Sequence, residues 1–193
     1  MTVDRDALYR GLSHAAWGYF FLTFDFNLGT VSVLPRFVGF GLLLSAITKL
    51  SGARRDLALL RPLCILLAGW NAFDWLLSWM GRDLDGQILF LDLLVAAAGL
   101  YFHYQFLTDM AALAEQFQPE GGGLSQKICR RRTAYLVLIT ITVLLLDLPA
   151  GLLGDWREGI VLAVAAMACV AAVLIISAMF SLRKCLAPLE PHE

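Results

Sequence analysis

The chain has 193 residues, 59 % of them hydrophobic and 16 % charged, with a formal net charge of −1. A soluble domain carries about 25 % charged and about 45–50 % apolar residues, so the composition argues against an ordinary soluble globule. The near-zero charge provides no electrostatic footprint for nucleic acid, and the length suits a single unit, 1–193, rather than two domains.

A stretch of roughly 20 mostly apolar residues is what a helix needs to cross a bilayer, and the sequence offers six. The first, 7–26, has Arg5 and Arg10 balanced by Asp4 and Asp6. No small-x-small cleavage pattern follows it, so it reads as a retained span and not a signal peptide. The second, 35–50, is short, about 24 Å of helix at 1.5 Å per residue. Either it is tilted little, or the preceding Asn27–Leu34 stretch dips into the membrane under cover of protein before Pro35 starts the helix. The third is 57–80, with Pro62 tolerated in its opening turns. The fourth is 88–108, with a helical extension to 117 that sets Phe106, Met110, Leu113 and Phe117 on one stripe and Asp109, Glu115 and Gln116 elsewhere. The segment 118–132 then reads as a cytoplasmic loop. The fifth span is 132–148, stopped by Pro149, and the sixth is 157–185, which contains the longest charge-free run.

Lys and Arg placement orients these spans. If the N-terminus, the loop in the fifties, the 118–132 loop and the C-terminus share one side, that side holds Arg5, Arg10, Lys49, Arg54, Arg55, Arg61, Lys127, Arg130, Arg131, Arg132, Arg183 and Lys184. The opposite side keeps Arg36, Arg82 and Arg157. The expected fold is therefore an all-α polytopic transmembrane bundle of six spans in three hairpins, with both termini in the cytoplasm. A weak threefold pattern runs through it: Arg10 with Asp25, Arg61 with Asp74, and Arg132 with Asp147 each pair a basic entry with an acid near the far end.

Acids within spans cost roughly 2.5–3.5 kcal/mol at a helix centre and normally face a bundle interior or a water-filled cavity. Asp74 is the deepest. With Asn71 and Ser78 it forms one polar stripe, and Trp75 stands beside it. Asp92 shares a stripe with Ala96, Gly99 and His103. Asp147 follows Thr133 and Thr140 at sevenfold spacing, and Asp25 follows His14 and Gly18. These positions point to an outward-facing cavity formed by Asp25, Asp74, Asp92 and Asp147, with Asn71 and Trp75, suited to a small cation or amine through charge and cation–π contact. The blander account places the acids at helix ends, paired with Arg36, Arg82 and Arg157, and puts Trp75, Trp79 and Trp156 in an aromatic belt.

Other signals are faint. Cys64, Cys129, Cys169 and Cys185 form no C-x-x-C pair and no zinc spacing, so no metal or cofactor is expected. His14 and His103 stand alone, with His103 expected to bridge helices. No sequence motif of a nucleophile, P-loop or dinucleotide site occurs, and an enzyme is not expected. Gly11-x-x-x-Ala15 and Gly41-x-x-x-Ser45 permit close helix contact.

The run Leu34-Pro35-Arg36-Phe37-Val38-Gly39-Phe40, introduced by Asn27-Leu28-Gly29, resembles the opening of the second span in small six-span membrane proteins of Gram-positive bacteria. The resemblance implies a bacterial plasma membrane and brings no activity with it. In size and topology the chain is also similar to the substrate-binding subunits of energy-coupling-factor vitamin transporters, with Gly11-x-x-x-Ala15 where those carry a small-residue docking face. Two functional expectations follow. One is small-solute or cation binding or transport, with Asp74 central. The other is a non-catalytic membrane subunit or assembly partner that docks another membrane protein through small-residue faces and the 106–117 extension.

Overall fold

In a computed structural model the chain is described over residues 4–24, 27–28, 31–32, 35–80, 89–119, 121–147 and 154–186. Among these residues it is helical except for connecting turns and a ribbon of two strands of two residues each. Helix α1 (Arg5–Thr23) is opened by Asp4, whose carboxylate accepts the N–H groups of Asp6 and Ala7 at 3.0 and 3.2 Å, satisfying donors that have no partner within the helix. Strands β1 (Asn27–Leu28) and β2 (Val31–Ser32) pair antiparallel. Pro35 then starts helix α2 (Arg36–Leu50), which is 15 residues long, about 22 Å.

The expected third span is interrupted. A short helix α3 (Asp56–Leu59) ends at Leu60, and α4 (Arg61–Trp79) begins afresh. Pro62 is the reason: it has no N–H to give the Ala58 carbonyl, and its ring crowds that group. The Leu60 N–H donates to the Leu57 carbonyl at 3.1 Å, closing the short helix in a tighter turn. Helix α5 (Leu89–Phe117) is unbroken through the expected extension.

Helix α6 (Leu124–Asp147) starts eight residues before the expected span, so Lys127 and Arg130–Arg132 lie on a helix and not in a loop. Arginine and lysine are good helix formers, and the turn signals end at Gly121 and Gly123, whose φ values of 81° and 58° suit only glycine without strain. The Gln118 side chain reaches across this turn. Its Oε1 accepts the N–H groups of Leu124 and Ser125 at 2.8 and 3.3 Å. Gln118→Ala is expected to lower stability by about 1 kcal/mol, the usual value of a helix cap, read as a shift in thermal unfolding of the purified chain. A 3₁₀ turn, Gly154–Trp156, leads into α7 (Arg157–Cys185).

The long helices form a ring in the order α4, α2, α1, α7, α6, α5, with β2 against α4. The ring closes poorly: α4 and α5 touch only lightly although they are consecutive. The hairpins α1/α2 and α6/α7 are tight, so the threefold pattern in the sequence has no equal in the packing. The tightest crossing is α1 on α2. A Cβ on Gly18 would come within 3.0 Å of the Gly39 carbonyl, and one on Gly39 within 2.9 Å of the Gly18 carbonyl. Gly11 packs on Leu50 and Lys49 in the same seam, whereas Gly41 faces open space.

One end of the ring carries Arg10, Lys49, Arg54, Arg61, Arg132 and Arg183. Hydrogen bonds from Arg183 to Ser13, Lys49 to His14, Arg54 to Asp109 and Arg132 to Thr108 bring these helix ends side by side. The core is skewed toward this basic end. In α4 the fully buried residues are Cys64 and Leu67, in α6 Ile128 and Tyr135. In α5 they begin at Phe102 and in α7 at Ala171, and both sets run toward the basic end. Toward the opposite end, the described residues of these four helices include none that is fully buried. Large apolar side chains are exposed there instead, among them Phe73, Leu76, Phe90, Leu93, Leu144 and Leu162.

Two helices are long and apolar enough to cross a membrane by length and composition, Phe90–Phe117 and Arg157–Cys185. The others are shorter or diluted: α2 by length, α1 by Arg5, Asp6 and Arg10, α4 by Arg61, Asn71 and Asp74, and α6 by the basic cluster in its first third.

Candidate functional site

Asn71 and the consecutive pair Asp74 and Trp75, about one turn on, share the far half of α4. That half continues a helix whose other half is anchored on α2 through Cys64 and Leu67, with the Cys64 thiol donating to the Phe40 carbonyl at 3.4 Å. Asp74 is half-buried and has no hydrogen-bond or ion-pair partner among the described residues. Asn71 lies next to it, but its amide donates to the Leu67 carbonyl at 2.7 Å, one turn back. Ser78 likewise donates to the Trp75 carbonyl at 2.7 Å. Trp75 is fixed edge-on between Phe37 and Trp79, each ring centroid 5.5 Å away. The ring of Trp75 is therefore held by α2 and α4 together, while Trp79 is 62 % exposed.

Asp92 stands in the first turn of α5, half-buried and engaged by another group. Asp74 is carried by α4 and Asp92 by α5, two helices that barely touch. Asp25 lies outside the described residues, and of Asp147 only the backbone, at the last position of α6, is described. Among the described residues no group of three His, Cys, Asp or Glu side chains is placed to hold a metal ion.

Two polar clusters at the basic end and a third midway along the bundle were not legible as clusters in the sequence. Asp109, expected on the solvated side of an amphipathic extension, is fully buried. Its Oδ1 accepts from Arg54 Nε at 3.0 Å, and Oδ2 is approached by Gln105 Nε2 at 3.4 Å. A carboxylate is tolerated in such a place only with a charged partner, and Arg54 comes from the α2–α3 connection, far away in sequence. Phe106, Met110 and Leu113 are buried around it, so the stripe expected to dock a partner packs inside the chain itself. Glu115 and Gln116 are exposed, as expected.

The second cluster joins His14 to Ser45 and Lys49. His14 Nδ1 lies 2.8 Å from Ser45 Oγ and 3.2 Å from Lys49 Nζ, and Lys49 Nζ donates to Ser45 Oγ at 3.2 Å. An ammonium has no acceptor, so Nδ1 accepts and the ring proton sits on Nε2. Serine, lysine and histidine at this spacing resemble a nucleophile with its bases. Ser45 is nevertheless mid-helix, where the surrounding N–H groups are spent in α2 and offer nothing to a developing oxyanion. The trio clasps α1 to α2.

The third cluster is His103, which bridges helices as expected. Its Nδ1 lies 3.1 Å from the buried Tyr19 hydroxyl, within a cage of Phe40, Phe102 and Tyr135 rings. No family model, curated protein or solved structure matches this chain.

Proposed function

We infer that the chain is a membrane protein whose six long helices all cross the bilayer, with the basic end in the cytoplasm of a bacterial cell, and that its far end binds a small cationic solute. Counting spans by helix, α1, α2, α4, α5, α6 and α7 give an even number, and that number puts both chain ends on the side rich in Lys and Arg, where cationic loops are retained. The helices that are short or interrupted by acids find cover in the ring: α1 and α2 bury each other, and lipid meets the exposed apolar faces of α4, α5 and α7.

One observation carries the binding reading. The buried core gathers at the basic end, and in the other half stands Asp74, a half-buried carboxylate with no partner among the described residues, next in sequence to Trp75. A carboxylate in that position attracts a cation and an indole face adds to the attraction. The reading of a docking subunit rests on less, since Gly11, Ala15 and the 106–113 stripe are all taken up within the bundle.

The experiment is a thermal-shift screen of the purified chain against inorganic cations and organic amines, paired with Asp74→Asn. A true ligand at about one hundred times its dissociation constant adds about 2.7 kcal/mol of stability. Asp74→Asn is expected to weaken that ligand about tenfold or more, the value of a hydrogen bond to a charged group, while leaving the unliganded melting point close to wild type. A stabilising cation that ignores the substitution overturns the assignment of Asp74.

A further inference from the structure

A cavity of about 280 Å³ opens at the basic end between the α5–α6 turn, α6 and α7, away from Asp74 and independent of it. Lys127 and Arg131, one turn apart on α6, face Ser177 and Ser181, one turn apart on α7, across it. Neither cation has a carboxylate partner among the described residues, and no acid among those residues lines the space. Arg131 is not a free surface arm: its Nη1 donates to the Leu174 carbonyl at 2.5 Å, which holds the guanidinium against α7. Ser181 rests its proton on the Ser177 carbonyl at 2.9 Å, a bond that a rotating hydroxyl exchanges readily. The α6 N-terminus at the rim is already capped by Gln118 and adds nothing to the argument.

We propose that this cavity binds a phosphate group, with Lys127 and Arg131 as its counter-charges and the α7 serines as neutral hydrogen-bonding partners. A planar guanidinium grips two phosphate oxygens at once, and an ammonium supplies a compact second charge. The phosphate can be carried by an anionic lipid or be free in the cytoplasm. The surroundings suit the lipid. From the cavity toward the middle of the same two helices, the exposed side chains turn apolar, with Val137 on α6 and Leu174, Val173 and Val170 on α7, which gives acyl chains a place to lie.

The test uses the full chain in nanodiscs of phosphatidylcholine, with and without phosphatidylglycerol. The readouts are the lipid retained after extraction and the melting temperature. Phosphatidylglycerol is expected to be enriched around the wild type. Lys127→Ala with Arg131→Ala should reduce that enrichment about tenfold or more per cation, the value of a hydrogen bond to a charged group in a built site. A charge-matched control, Arg130→Ala with Lys184→Ala, removes two cations from the same end outside the cavity and should change little. Ser177→Leu fills the space without altering charge and should also lower retention, which keeps the test decisive if the double variant does not fold. Stabilisation by inorganic phosphate in pure phosphatidylcholine discs, lost in the cavity variant and without lipid enrichment, assigns the site to free phosphate. Absence of both effects in the wild type, an equal loss in the charge-matched control, or full retention by Ser177→Leu overturns the proposal.

Discussion

Arg54→Ala is expected to destabilise the protein by about 3 kcal/mol, the lower end of the range for breaking a buried ion pair. The lower end applies because the Arg54 side chain is 37 % exposed while Asp109 is 0 % exposed. Removing the guanidinium strands the Asp109 carboxylate among Phe106, Met110 and Leu113, where only Gln105 remains, at 3.4 Å. The cost comes from the uncompensated charge and not from the lost contact, so the double variant Arg54→Ala with Asp109→Leu should recover most of it. Chemical denaturation of the two variants in detergent separates the accounts. If Arg54→Ala alone is silent, Asp109 is not an ion-paired buried acid in the folded chain.

The α1–α2 crossing gives the second large effect. Gly18→Val and Gly39→Val should each lower stability by about 3 kcal/mol, the upper part of the range for overpacking a closed interface. At Gly39 even a methyl group would meet the Gly18 carbonyl at 2.9 Å and Leu22 Cγ at 2.8 Å, and a backbone carbonyl cannot swing aside as a side-chain tip can. Gly41→Val, two residues away in the same helix, should be close to neutral because its Cβ direction is empty. Thermal unfolding of the three variants checks the contrast, and equal losses at Gly39 and Gly41 would rule out the observed helix phase.

Hydropathy made the long helices legible, because an apolar run of that length leaves few alternatives, and α2, α5 and α7 begin or end within a residue or two of where the pattern put them. What it hid depends on partners distant in the chain. Nothing local says that Asp109 is buried, since its neighbours on the helix read as an ordinary amphipathic face and its partner Arg54 is 55 residues away. The small-residue spacing pointed to Gly11, Gly39 and Gly41; the crossing uses Gly11 and Gly39 together with Gly18, while Gly41, on the opposite side of α2, faces open space. The basic run at Arg130–Arg132 read as a loop because clustered charge is expected between spans, yet arginine is a good helix former and α6 begins six residues before it. Of the candidate site, the sequence put Asn71, Asp74 and Ser78 on one stripe of a helix, which follows from helical spacing alone, and α4 is helical through all three. It could not tell whether Asp92 joins them, because that depends on how closely α4 and α5 pack, and they pack loosely.

That loose joint has a mechanical meaning. A closed hoop resists deformation all round, whereas one with a single weak weld bends there first. In this chain α4 is fastened to α2 and α5 to α6, so the two can part like the ends of a split washer without tearing any of the interior near the basic end. Deformation of the ring is therefore easiest along the α4–α5 side, where the helix that carries Asp74 has its lightest contact.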